Sequence, residues 1–205
     1  DLQAAGDDRM GVIRIAAAVL LAAVSAAAQE APPVFIAEDR APVHAAPGGE
    51  QIGSLPPGTK PIEASAVEDG WARIVFGEGD AWTPLAALAP LEPRAVAGGR
   101  IADGLVCAGT EPFWSLSVEG PSARLRALDG GDRSLRIGGA VRADGRRFPV
   151  RAALAEDGGA PWGDLLIEPR LCSDGMSDRT YPWTASLLPA EGGLRTGCCR
   201  LPRAR

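Results

Sequence analysis

The chain predicts an all-β protein made of two consecutive units, and three features carry that expectation. Beyond residue 28, apolar residues come in short runs that alternate with period two, and helical spacing is almost absent. Turn signals punctuate those runs, as in Pro56-Pro57-Gly58, Asp69-Gly70, Asp129-Gly130-Gly131, Asp144-Gly145 and Asp174-Gly175. Charge divides near residue 93. Residues 29–93 carry 10 acidic and 3 basic residues, a net of 3 − 10 = −7, whereas residues 94–205 carry 13 acidic and 16 basic, a net of 16 − 13 = +3. No basic cluster interleaved with aromatics accompanies this asymmetry, so no nucleic-acid partner is expected.

The first segment reads as a leader. Met10 is followed by Arg14 and the apolar run Ile15–Val24, and Ala26-Ala27-Ala28 supplies the small residues of a cleavage site before Gln29. Residues 1–9 read as an upstream extension. The run is well short of the ~20 apolar residues that span a bilayer, so no stable membrane span is expected after cleavage. With no cysteine near that point, a lipid-modified N-terminus is not expected either. The mature chain would hold 205 − 28 = 177 residues, enough for one or two small domains. An even number of cysteines in an exported chain argues for disulfides and a periplasmic or secreted location.

The first unit covers residues 32–91. Its expected strands are 34–37, 42–45, 51–55, 61–65, 71–76 and 81–84. In "WARIVF", Trp71, Arg73 and Val75 share one face and Ala72, Ile74 and Phe76 the other. So short a chain must close its sheet into a small barrel to bury enough apolar surface. The segment "APVHAAPGGEQIGSLPPGTKPIEASAVEDGWARIVFGEGDAWTPLAAL" resembles bacterial SH3-like domains, through "IGSLPPGTK", "GWARI" and "GDAWTPLAAL". It departs from that family where Pro42-Val43-His44 replaces Asn-Val-Arg and where Ala81 precedes Trp82. The resemblance implies a small barrel that binds peptides or cell-wall components. Trp71, His44 and Asp69 then mark where a ligand would lie; Trp71 and Trp82 also read as half-buried barrel residues.

Residues 92–99 form a Pro/Gly-containing connection, and the second unit covers residues 100–201. Strands are expected at 105–108, 112–118, 123–128, 134–137, 147–154, 164–168, 181–188 and 194–199. Trp114, Leu116 and Val118 share a face, as do Phe148, Val150, Ala152 and Leu154, and Tyr181, Trp183, Ala185 and Leu187. That pattern suits an antiparallel β-barrel or a strongly curved sheet. The segments "CAGTEPFWSLSV", "LCSDGMSDRTYPWTASL" and "LRTGCC" resemble an uncharacterised family of exported bacterial proteins with Cys-x-Gly-x-Glu-Pro-Phe-Trp and Cys-x-Asp-Gly-Met-Ser-Asp motifs. The resemblance implies a compartment and a fold, and no reaction.

"LCSDGMSDRTYPW" could be a metal loop, a catalytic loop or a disulfide-anchored turn. Calcium wants six to eight oxygens, and Asp174, Asp178 and Glu111 offer too few. Zinc would want histidine beside the thiolates, but the only histidine is distant. No metal and no cofactor are expected. A nucleophile needs a base within reach, which is missing; Glu111 with Asp174 or Asp178 could still form a glycosidase pair. A structured turn explains most residues: Asp174-Gly175 turns the chain, Asp178 repeats the device at the exit, Cys172 anchors it, and Met176 caps the barrel mouth. Cys198 and Cys199 point to opposite faces of a strand, so each should bond one of Cys107 and Cys172.

The leading expectation is therefore an exported, non-enzymatic cell-envelope protein. Its SH3-like domain would bind peptidoglycan or an envelope protein or peptide. The rivals are a cell-wall hydrolase targeted by that domain and a protein-binding, inhibitor-like structural protein. Cleavage after Ala28 gives the first prediction: intact-mass analysis of the exported protein should find Gln29 first, and a full-length, membrane-retained chain would contradict the leader.

Overall fold

The computed structural model describes residues 30–128 and 131–203. The leader expected over residues 1–28 falls outside them. Among the described residues the chain is all-β, with a single 3₁₀ turn at Leu85–Ala87.

The first sheet comprises β1 (Val34–Ala37), β2 (Ala41–His44), β3 (Gln51–Leu55), β4 (Thr59–Glu68), β5 (Trp71–Phe76), β6 (Gly79–Pro84) and β7 (Ala89–Pro90), in the order β3-β2-β6-β5-β4-β1-β7. Alternation puts Ala41 and Val43, Ile62 and Ala64, and Ala72 and Ile74 on one face, and they join Phe35, Leu55 and Ala81 in a common core. Strands near both ends of the order contribute to that core, so the sheet coils around it. Asp69 and Gly70 make the two-residue β4–β5 connection with φ of 47° and 81°. Both values lie in the left-handed region that a type I′ hairpin turn requires, which is why Asp-Gly stands there.

The connection after residue 91 contains a short hairpin, β8 (Ala95–Val96) with β9 (Ile101–Ala102). Ile101 enters the core of the second unit, and Leu91, Val96 and Ala97 pack against it.

The second unit is a closed antiparallel barrel of eight strands. They are β10 (Val106–Thr110), β11 (Phe113–Glu119), β12 (Ser122–Ala127), β13 (Gly131–Arg142), β14 (Val150–Glu156), β15 (Pro161–Glu168), β16 (Trp183–Pro189) and β17 (Arg195–Arg200). Each strand pairs with the next, and β17 returns to β10. Closure leaves no exposed edge. Of the two architectures open from sequence, the barrel is the one formed. All three predicted apolar stripes are buried, from Trp114, Leu116 and Val118 to Tyr181, Trp183, Ala185 and Leu187. The sequence signal for β13 covered only residues 134–137. The strand extends beyond that signal at both ends, where Arg133 and Arg142 occupy core-facing positions beyond the buried Leu135 and Ala140, and it bulges at Gly138-Gly139, which breaks the alternation.

Two disulfides staple the barrel. Cys107 bonds Cys199, its cross-strand partner, on the inside, and Cys172 bonds Cys198 on the outside. The adjacent cysteines thus serve opposite faces of one strand, as period-two alternation requires. Between the strands, Trp114 lies against two glycines. A Cβ on Gly109 would sit 2.2 Å from the Trp114 indole nitrogen, and one on Gly197 would sit 2.8 Å from the same ring and 2.2 Å from the Ala108 carbonyl oxygen. The Cys-x-Gly spacing and the Gly before Cys198 are therefore the space the indole occupies.

Met176 departs from its expected place. The loop between β15 and β16 crosses the outer wall, drawn there by the Cys172–Cys198 bond, and Met176 is 70% exposed. It does not cap the barrel mouth. Gly197→Ala should destabilise the barrel by about 1–3 kcal/mol through overpacking, read as a lower urea midpoint. An unchanged midpoint would mean that the indole has room the packing does not show.

Candidate binding surfaces and the seam between the domains

Strand alternation assembles the first candidate surface. Outward residues of β2, β5 and β6 fall in register: His44 opposite Trp82, Trp82 opposite Arg73, and Trp71 opposite Pro84. The His44 ring meets the Trp71 ring edge-on, with centroids 5.1 Å apart. His44 Nδ1 lies 2.8 Å from the Gly49 carbonyl oxygen, which fixes the ring orientation. Trp71, Trp82 and His44 are all half-buried, so each offers ring surface while resting on the sheet. Asp69 is exposed in the adjacent turn and shapes the backbone there. Of the three sequence-predicted ligand residues, His44 and Trp71 touch, and Asp69 flanks them two positions before Trp71.

The 171–183 loop is built around Asp174. Its carboxylate accepts hydrogen bonds from the Met176 and Ser177 amides, both at 3.0 Å, from the Ser177 hydroxyl at 3.2 Å, and from the Tyr181 hydroxyl at 2.9 Å. Burial pushes the Asp174 carboxyl up, but those four donors outweigh it and hold it below the ordinary aspartate value. Gly175 follows with φ of 69°. The turn expected at Asp174-Gly175 is present; the repeat at Asp178 is not. Asp178 is exposed, and its backbone instead bridges to Gly79 of the first domain.

That bridge belongs to an extended seam. The Thr180 amide donates to Asp80 at 2.9 Å, and the Arg179 guanidinium donates to the Gly77 carbonyl at 2.9 Å and to Glu78 at 2.7 Å. Asp80 is also paired with Arg73 at 2.6 Å. Further along, Arg203 donates to the Val75 carbonyl. At the centre, Glu63 of β4 accepts from the Trp183 indole N–H at 2.9 Å and from the Leu201 amide at 2.6 Å. Burial pushes the Glu63 carboxyl up to about 7, against the pull of those two donors and of Arg200 and Arg203 nearby. Val34 of β1 joins the barrel core, so the seam has an apolar part as well.

Sequence reasoning missed Glu63, Arg203 and Tyr181. Glu63 stands between inward Ile62 and Ala64, and alternation alone reads it as a solvated outward residue. Only the second domain covers it.

The three carboxylates weighed as acids are placed differently. Asp174 is held within its own turn, Asp178 is exposed at the seam, and Glu111 is exposed in the β10–β11 connection. Among the described residues no three His, Cys, Asp or Glu side chains gather as a metal site, and no helix is long and apolar enough to cross a membrane. Comparison with known proteins found no matching family model, no matching curated protein and no matching solved structure.

Glu63 and Asp174 titrate in opposite senses. The Glu63 carboxyl is raised from 4.5 to about 7, so its contribution is complete below pH 4.5 and is lost as pH rises through about 7. The lowered carboxyl of Asp174 contributes above its ordinary value of 3.8 and loses that contribution as pH falls further. Urea unfolding followed by tryptophan fluorescence should show stability falling between pH 4.5 and 7 more steeply than in Glu63→Leu. Parallel profiles for the two proteins would remove Glu63 as the titrating group.

Proposed function

We propose that this chain is an exported, non-enzymatic cell-envelope protein whose first domain, an SH3-like module, binds a peptide or cell-wall polymer. The observation that carries the reading is the cross-strand cluster of His44, Trp71 and Trp82. Half-exposed aromatic rings bury much apolar area with few rotamers to lose, and they suit proline, aromatic or sugar-ring partners. Two disulfides are compatible with an oxidising compartment, which supports a periplasmic or secreted location. The separation of chemistry supports a binding role too: the only histidine sits on the first domain with Nδ1 on Gly49, while the candidate acids Glu111, Asp174 and Asp178 lie on the second.

Pull-down on purified cell-wall sacculi tests the reading. Trp71→Ala should weaken sacculus binding by on the order of tenfold or more, as for a central aromatic contact, while the urea midpoint moves little. Equal losses of binding and stability would assign Trp71 to the fold. Turnover of the polymer, abolished by Glu111→Gln, would replace binding with hydrolysis.

A further inference from the structure

The barrel's outer wall carries an apolar groove that the first-domain surface does not explain. Its floor is the outward face of β10 and β11, with Val106, Ala108 and Ser115. Phe113 and Leu128 rise on one side at 51% and 83% exposure, and Met176 of the disulfide-held loop rises on the other at 70%. Three of the nine large hydrophobic residues exposed among the described residues thus line one cavity, and Leu171 lies beside it in an adjoining recess. Elsewhere the outer wall carries charge, as in the Arg151–Asp164 ion pair. The groove volume of about 550 Å³ falls within the ~300–1,000 Å³ of small-molecule sites.

The wall is preformed. Cys172–Cys198 pins the loop to the floor, and the Tyr181–Asp174 hydrogen bond braces it from behind. A site already held in shape loses less on binding.

Charge identifies the other half of the ligand. Arg126 on the rim is paired with Asp132 at 3.5 Å, and the Asp174 carboxylate is occupied by its four donors. Arg200 is exposed on the groove and makes no ion pair among the described residues. It also lines the cleft at the domain seam, where Arg179 and Arg203 stand beyond it. Arg200 and Tyr181 line both cavities, so an apolar trough runs into a basic one. The cleft also contains Glu63, which the Trp183 and Leu201 donors hold.

From this juxtaposition we propose that the outer-wall groove binds a single-chain anionic amphiphile, its apolar body on Phe113, Leu128 and Met176 and its carboxylate or phosphate on Arg200. Arginine suits such a head because its planar fork donates two hydrogen bonds to an oxyanion at once. The occupant is a monomeric small molecule; a bilayer surface is the alternative the test separates.

Dodecanoate serves as the anionic probe, with dodecyl maltoside and dodecyltrimethylammonium as neutral and cationic controls of the same chain, all below their micellar concentrations. Titration of the purified protein by calorimetry should give saturable one-to-one binding of dodecanoate and weaker binding of both controls. Arg200→Ala should weaken dodecanoate by about tenfold or more, the worth of a charged hydrogen bond, and leave dodecyl maltoside nearly unchanged. Leu128→Asp should abolish all binding with no change in melting, because Leu128 is exposed. Equal affinity for the three head groups would overturn the assignment to Arg200. Binding insensitive to Leu128→Asp, no saturable binding, or binding only to anionic vesicles would overturn the groove as a monomer site.

Discussion

Cys198 and Cys199 are the hinge on which the second domain depends. A β-strand turns successive side chains to opposite faces, so two neighbouring cysteines cannot both look inward. Cys199 closes the barrel by bonding Cys107 across the β10–β17 seam, and Cys198 holds the outer loop against the same strand. The groove wall, the Asp174 turn and the placing of Arg179 and Thr180 for the first domain all follow from that outward bond. One strand therefore fixes both the fold and the surface built upon it.

The seam shows how little of a domain contact resides in either domain alone. Glu63 would be an ordinary exposed glutamate on an isolated first sheet. Covered by Trp183 and Leu201, it becomes a half-buried acceptor for two donors, and its carboxyl is pushed up to about 7. Arg179 and Arg203 reach backbone carbonyls of β5 and the turn after it, and Arg179 also pairs with the Glu78 side chain, so both the course of the chain and its acids are engaged.

Alternation and turn chemistry made the strands legible. All eight barrel strands and six of the seven first-sheet strands overlap segments expected from period-two patterning. The strands not expected, β7, β8 and β9, are each only two residues long, and β13 was expected only in part because a double-glycine bulge interrupts its alternation. The cysteine arrangement was legible because it follows from alternation at a single dipeptide. The groove was not, since it takes Phe113 from β11, Leu128 from just past the end of β12 and Met176 from a loop, three residues that no sequence window joins. Met176 was misplaced for the same reason. Its neighbours point to a turn, but only the disulfide decides which side of the wall that turn occupies.

The position of β17 also sets an order of assembly. Both cross-links end on the last barrel strand to be synthesised, and Cys107 must wait across 92 residues for its partner. Until β17 arrives, β10 and β16 each present an open edge, and the thiols of Cys107 and Cys172 have only each other. Non-local closure of this kind is slow relative to hairpin formation. Oxidation before β17 is complete leaves Cys107 and Cys172 only each other as partners within the chain, and the native pairing is then reached by thiol–disulfide exchange from Cys198 or Cys199.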